Sequence, residues 1–392
     1  MRVRTGLDVI REDPSIIGQR RWGLLANHSA VTSSLMPARV ALAAHSRPTL
    51  LFAPEHGLEG IAQDMEGVDD AHDDLTGAPV RSLYGNTAST LRPQDEDLDN
   101  IELMIVDVPD IGTRYYTFAA TMDAMMAACE ARSIPMLVLD RPNPIGGLAR
   151  EGGRVHEGFS SFVSQVPTPI RHGLTLGEMA MLLKRERYQN LELSVLLCQG
   201  WKRGNWWDAT GLPWVAPSPN MPTLETAAIY PGMCLFEATT LSEGRGTTRP
   251  FHLIGAPWID EHQLAEALKA SDTPGCAFRP TVFRPMFQKH AFEVCHGVEV
   301  HITDRESLNA LRVGVNMLRT IFELYPKEFG WRQEAYEFIE DIPAIDLLTG
   351  SPDFRQCLES NGDLDELFAL WDSEVSDFED RLEGILLYHD RD

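Results

Sequence analysis

At 392 residues the chain exceeds the usual size of one hydrophobic core, so two domains are expected. Its 43% hydrophobic and 23% charged residues exclude a disordered or fibrous protein. A net charge of −24, from 58 acidic against 34 basic side chains without any Lys/Arg-rich run, excludes nucleic acid as a partner and means that an anionic ligand needs a local Arg cluster.

The first 150 residues alternate short apolar runs with amphipathic segments. Strands are expected at 22–26, 49–53, 103–108 and 136–139, with helices at about 34–45 and 117–131. Repeated β-α-β units imply a mainly parallel sheet covered by helices. Each strand runs into a polar signature: Asn27-His28 after the first, Pro54-Glu55-His56-Gly57 after the second, Asp107 to Asp110 and Gly112-Thr113-Arg114-Tyr115-Tyr116 after the third, Asp140-Arg141-Pro142-Asn143 after the fourth. In a parallel sheet these ends share one edge, where ligands of open α/β sheets bind. Neither GxGxxG nor GxxxxGK[ST] occurs, so the dinucleotide and P-loop fingerprints are missing.

Gly and Pro between 144 and 175 mark the crossing to a second domain, giving expected boundaries of 1–155 and 156–392. The second half reads as α+β, with a helix near 175–186, a strand near 192–198, strands near 291–302, a helix near 306–324 and acidic helices after 352. The stretch 201–257 reads as a long irregular loop whose Trp, Met and Tyr residues argue for order and function. The six cysteines show no CxxC or Cys/His spacing and read as free core thiols. No run reaches the roughly 18 apolar residues of a membrane span. The polar start MRVRTGLDVIRED carries no export pattern, so the chain reads as cytoplasmic, or as secreted or periplasmic if a signal was removed.

At LFAPEHG (51–57), DIGTRYYTF (110–118), LDRPNP (139–144), RHGLTLGE (171–178), PSPNMPT (217–223), YPG (230–232), SEGRGTTRPF (242–251) and IGAPW (254–258), the chain resembles the exo-β-N-acetylmuramidase family, long catalogued as a domain of unknown function. The likeness runs from GLDV at 6–9 to LLYHD near the C-terminus. It implies a Rossmann-like N-terminal domain, a smaller C-terminal α/β domain and an active site in the cleft between them. It also implies exo-acting hydrolysis that releases N-acetylmuramic acid from non-reducing ends of peptidoglycan fragments, with no organic cofactor. A hydrolase of another acidic amino sugar and a non-catalytic muropeptide-binding protein are the rival readings.

Glycoside hydrolysis generally needs a carboxylic acid to protonate the leaving oxygen and a carboxylate to act as nucleophile or base. Glu55 and Glu243 are the candidates. Glu55, against the apolar strand end 51–53, suits the acid, since a carboxyl out of water tends to hold its proton; a helix-cap or salt-bridge role in the turn competes. Glu243 lies between Gly and Arg residues, and Arg245 and Arg249 favour an ionised nucleophile, base or charge stabiliser over a loop-bracing pair.

Muramic acid carries a lactyl carboxylate, for which a bidentate Arg is the natural reader. Arg114, Arg245 and Arg249 are the candidates, an internal pair with Asp107 or Asp110 being the alternative for Arg114. Tyr115 and Tyr116 offer a stacking face, with one of them expected in the core. Asn27, Asn143 and Asn220 offer amides to sugar hydroxyls, or serve as turn residues. His56 and Asp140 complete the expected sugar contacts. His28, His56, His72 and His172, with Asp69, Asp70, Asp73 and Asp74 nearby, lack metal-ligand spacing, so no metal is expected.

Overall fold

The computed structural model describes residues 2–389. The chain divides into two compact units, one formed by Met1–Ala149, His172–Leu224 and Asp380–Asp392, the other by Arg150–Arg171 and Glu225–Glu379.

The first unit is built on a seven-stranded sheet, β1 (Trp22–Ala26), β2 (Leu50–Ala53), β3 (Ala71–His72), β4 (Pro79–Ser82), β5 (Leu103–Asp107), β6 (Met136–Leu139) and β7 (Leu193–Leu196). Their order across the sheet is β3-β4-β2-β1-β5-β6-β7, all parallel except β3, which runs antiparallel to β4. Leu24 of β1 sits between Leu51 of β2 and Ile105 of β5. Strands β1, β5 and β6 are buried along their whole length, which is why their sequences WGLLA, LMIVD and MLVL run apolar without alternation. The winding reverses between β1 and β5, so the topological switch point, where open α/β sheets leave a crevice, lies at the ends of these two strands.

The helices of this unit include α1 (Gly6–Glu12), α2 (Ala38–Ala43), α3 (Phe118–Ala131) and α4 (Leu176–Glu186), besides a single turn at Asp95–Leu98. Two begin with reciprocal caps. Thr5 and Asp8 exchange side-chain and backbone hydrogen bonds at α1, and Thr175 and Glu178 do the same at α4. The TLGE of the RHGLTLGE motif is therefore a helix start, and its Glu178 also accepts from the buried Arg203 guanidinium at 2.6 Å.

The second unit holds a three-stranded antiparallel sheet, β8 (Leu253–Ala256), β9 (Cys276–Phe283) and β10 (Cys295–Ile302), in the order β8-β10-β9. Its helices include α5 (Leu224–Met233), α6 (Glu261–Leu268), α7 (Ala310–Leu324), α8 (Ala344–Thr349), α9 (Asp353–Glu359) and α10 (Leu364–Asp380). The stretch 201–257 is thus less irregular than its composition suggests, since it contains α5, β8 and two short 3₁₀ turns at Trp207–Thr210 and Cys234–Ala238. Among the described residues no helix is long and apolar enough to cross a membrane.

Helices α5 and α7 approach with glycine against glycine. A Cβ on Gly314 would lie 2.3 Å from the Gly232 carbonyl oxygen, and one on Gly232 would lie 1.8 Å from the Ala310 carbonyl oxygen. Both obstructions are backbone, which cannot rotate aside. Gly314→Ala should therefore cost about 1–3 kcal/mol through overpacking, despite the better helix propensity of alanine. The urea midpoint checks this, and a midpoint equal to or above wild type would contradict the close approach.

Candidate functional site

Parallel pairing gathers the segments after β1, β2, β5 and β6 along the carboxyl edge of the first sheet. Asn27, Glu55, His56, Arg114, Tyr115, Asp140 and Asn143 all stand on those segments and are all buried. The segment 216–220 of the same unit is tied to this edge. Asn27 donates from Nδ2 to the Pro217 carbonyl at 3.0 Å while its Oδ1 accepts from the Ser29 hydroxyl at 2.7 Å. His28 Nε2 donates to the Ala216 carbonyl at 2.9 Å, and Asn220 Nδ2 donates to Gln63 Oε1 at 3.0 Å. Burial holds the His28 imidazole below its ordinary range, opposed by the hydrogen bond to Ala216.

Glu55 follows β2 by two residues and is 4% exposed. Its Oε2 accepts a 2.6 Å hydrogen bond from the Thr117 hydroxyl at the start of α3. The next residue, His56, has φ of +69°, a left-handed conformation uncommon outside glycine and the kind of local strain that collects at functional sites. The His56 ring is fixed as well, because Nδ1 lies 2.9 Å from the Ala62 carbonyl, which can only accept. The proton therefore sits on Nδ1, and in the neutral ring Nε2 is an acceptor. His56 lines a cavity of 720 Å³, with Arg39, Glu59, Asp69 and Asp74 also on its wall. That volume suits a small ligand.

After β5 the chain makes a tight turn at Gly112, with φ of +88°, where a Cβ would lie 2.6 Å from Asn143 Oδ1. Only glycine fits. Asp110 Oδ2 accepts from Gly112 N at 2.6 Å and lies 3.2 Å from His172 Nε2. His172 Nδ1 accepts from Leu174 N at 3.1 Å, which leaves the ring proton on Nε2, facing Asp110. Arg114 is 2% exposed, and Tyr115 and Tyr116 are both buried, the Tyr116 ring packing 4.8 Å from Phe118.

Asp140 and Asn143 are engaged by the protein. Asp140 Oδ2 accepts from the hydroxyls of Tyr388 at 2.6 Å and Thr175 at 2.7 Å, and Oδ1 accepts from Gly177 N at 2.9 Å and Arg141 N at 3.0 Å. Asn143 donates to the Leu174 carbonyl and accepts from Ile145 N. Beside them Arg141 grips Asp107 bidentately at 2.5 and 2.9 Å. The Asp-rich segment is used similarly: Asp73 pairs with Arg39 at 2.9 Å and accepts from the Thr76 hydroxyl at 2.6 Å, and Asp70 pairs with Arg81. No group of described His, Cys, Asp and Glu residues is disposed to hold a metal ion.

In the second unit, Glu243, Arg245 and Arg249 lie on one loop leading to β8. Glu243 is 2% exposed, with Oε2 at 2.7 Å from Lys289 Nζ and Oε1 at 3.4 Å from Arg245 Nε. Arg245 also pairs with Glu237 at 2.6 Å and stands over the Phe251 ring at 5.1 Å, while Tyr336 donates its hydroxyl to Glu237 at 2.7 Å. Arg249 is the more open cation, its side chain 35% exposed and paired with Glu299 at 3.2 Å. Sequence reasoning missed Thr117, Lys289, Glu237 and Tyr336. Thr117 lies within DIGTRYYTF and could have been found there, whereas nothing in the local patterns of the other three marks them.

Buried carboxylates stand along the strand ends of a doubly wound sheet in a chain lacking the nucleotide fingerprints, and its similarity to known proteins makes it an α/β glycosidase. The family model described as exo-beta-N-acetylmuramidase NamZ, N-terminal, matches residues 22–225, and its C-terminal counterpart matches residues 228–388. The peptidoglycan beta-N-acetylmuramidase NamZ of Bacillus subtilis (strain 168) is 38% identical over 99% of this chain and 92% of its own length. Two crystal structures of DUF1343 family proteins from Bacteroides fragilis NCTC 9343 share the fold, one with TM-score 0.89 at 32% identity over 99% of both chains, the other with TM-score 0.79 at 26% identity over 100% of both. The chain belongs to the exo-β-N-acetylmuramidase NamZ family.

Burial pushes the Asp140 carboxyl up to about 6, against the lowering by its bonds from Tyr388, Thr175 and Gly177. Its value in the folded state exceeds the ordinary 3.8, so its contribution to stability is full below about pH 4 and is lost as pH rises through about 6. A displacement of that size corresponds to about 3 kcal/mol. The unfolding free energy of wild type relative to Asp140→Asn should therefore fall between about pH 4 and pH 7. A flat difference would mean that Asp140 stays ionised throughout.

Proposed function

We propose that this glycosidase removes N-acetylmuramic acid from the non-reducing ends of peptidoglycan fragments, with Glu55 as the proton donor to the leaving oxygen and Glu243 as the carboxylate that meets positive charge developing on the sugar ring. The observation that carries the assignment of Glu55 is its setting: a buried carboxyl at the end of β2, one oxygen held by Thr117, next to a strained His56 on the wall of a 720 Å³ cavity. Glu243 complements it in charge. Lys289 and Arg245 both stand against its carboxylate, a setting that suits a nucleophile, base or electrostatic stabiliser. A muropeptide or a disaccharide ending in N-acetylmuramic acid is the expected substrate form, in keeping with the activity named for the Bacillus subtilis relative.

Glu55→Gln keeps the shape of the side chain but has no proton to deliver. Turnover of a chromogenic N-acetylmuramide should fall by about 10²–10⁴-fold, with ligand binding and melting temperature close to wild type. Near-normal turnover would remove Glu55 from the mechanism. A binding protein without activity would show ligand affinity and no sugar release from the wild-type chain.

The lactyl carboxylate distinguishes this sugar from N-acetylglucosamine. Arg249, with a third of its side chain exposed although it pairs with the buried Glu299, is more open to an incoming carboxylate than Arg114 and Arg245, which are buried. Arg249→Ala should raise KM for the muramide by about 10–100-fold and leave that for the corresponding glucosaminide nearly unchanged. Equal effects on both substrates would rule out carboxylate reading by Arg249.

A further inference from the structure

Lys289 belongs to the segment FQKH, between β9 and β10, outside every motif that carries the family likeness. The backbone around it is unusual: Gln288, His290 and Phe292 have φ of 65°, 57° and 66°. Three left-handed residues other than glycine within five positions cost conformational energy, and such strain persists only where surrounding contacts enforce it. What this geometry achieves is the placement of one ammonium group. Lys289 Nζ lies 2.7 Å from Glu243 Oε2, and it donates to the main-chain carbonyls of Phe236 at 2.8 Å and Thr239 at 3.1 Å. The ammonium thus donates to two main-chain carbonyls while its charge stands against the Glu243 carboxylate as an ion pair.

We propose that Lys289 is a positioning residue for the hydrolysis, fixing the Glu243 carboxylate in one orientation through an ion pair whose ammonium is itself held by two main-chain carbonyls. The inference rests on the reading that Glu243 is a catalytic carboxylate. The charged and titratable groups around it within its unit alternate in sign: Lys289 from the strained segment, Arg245 from its own loop, Glu237 from the turn after α5, then Tyr336 on Glu237. Within this chain Lys289 supplies the close cation on Oε2, while Arg245, at 3.4 Å from Oε1, is shared with Glu237. Removing Lys289 therefore leaves Glu243 with half a counter-charge and two carbonyls without their donor.

The test is the pH dependence of kcat for Lys289→Met and Lys289→Gln on a chromogenic N-acetylmuramide, with melting temperatures measured on the same preparations. In folded variants kcat should drop on the order of 10²-fold with little change in KM. The acid limb of the profile should move up by about one to two pH units, because a carboxylate that loses a cation takes up its proton more readily. Lys289→Arg, which keeps the charge, should leave the limb near its wild-type position. Glutamine retains a donor for the carbonyls, so Lys289→Gln carries the test should Lys289→Met fail to fold.

If Glu243→Gln is inactive but both neutral Lys289 variants keep the wild-type acid limb, the inference is overturned and Lys289 merely braces the loop. If Glu243→Gln retains near-wild-type turnover, the assignment of Glu243 itself has failed. Adding Lys289→Met to Glu243→Gln should cause no further loss in kcat, since Lys289 acts through that carboxylate; additive losses would also count against the proposal.

Discussion

A carboxylate taken out of water must be met by donors or cations, and that requirement organises both units of this protein. In the first unit, Asp140 receives four donors from three different stretches of chain: its own neighbour Arg141, Thr175 and Gly177 at the start of α4, and Tyr388. Glu178 on the next turn of α4 is satisfied by Arg203, whose guanidinium also donates to the Gly147 and Gly173 carbonyls. In the second unit, Glu237 and Glu243 share Arg245, and Lys289 closes the series. Removing one partner from such an array leaves another charge buried and alone. Each of these buried carboxylates is therefore held by a network rather than by a single contact.

The differences among these carboxylates bear on chemistry. Asp140 has every lone pair directed at a protein donor, which leaves it little capacity for a substrate proton. Glu55 is buried to a similar degree but carries only the Thr117 hydroxyl and a long 3.4 Å approach from Met65 N. A carboxyl less completely occupied is the one with capacity to engage a leaving group. Sequence position alone, each residue standing just beyond a strand, does not separate the two.

The parallel sheet was legible because β1, β5 and β6 are covered on both faces, so their apolar runs are continuous and bounded by polar turns. The edge strand β3 and its neighbour β4 were not, being two and four residues long, with Pro79 and Arg81 in β4. Helix α5 was missed for another reason. From Thr226 to Met233 every residue is buried, so no polar face generates a 3.6-residue period, and Pro231 within it reads as a breaker. Strand β9 carries Arg279 and Pro280 and is mostly half-exposed, hiding its alternation. At the candidate site, the charged residues in Gly- and Pro-bounded motifs stood out from the sequence. Their partners did not: Thr117 begins a helix, Lys289 sits in an unremarkable loop and Tyr388 lies in the last turn of chain, so only the folded backbone brings them into register.

The contact between Tyr388 and Asp140 also sets an order of events during biosynthesis. The first unit is assembled from three separated stretches, and the last of them begins only at Asp380. While the ribosome is still translating the second unit, the sheet can form, but Asp140 lacks one of its four donors and Cys198 N lacks the Tyr388 oxygen that accepts from it. The stretch that carries Tyr388 is made after the second unit, which is contiguous from Glu225 to Glu379 and, apart from Arg150–Arg171, emerges in one piece, so this part of the first unit closes last. A nascent chain stalled short of Tyr388 therefore presents to proteases and chaperones a first unit whose buried Asp140 is one donor short.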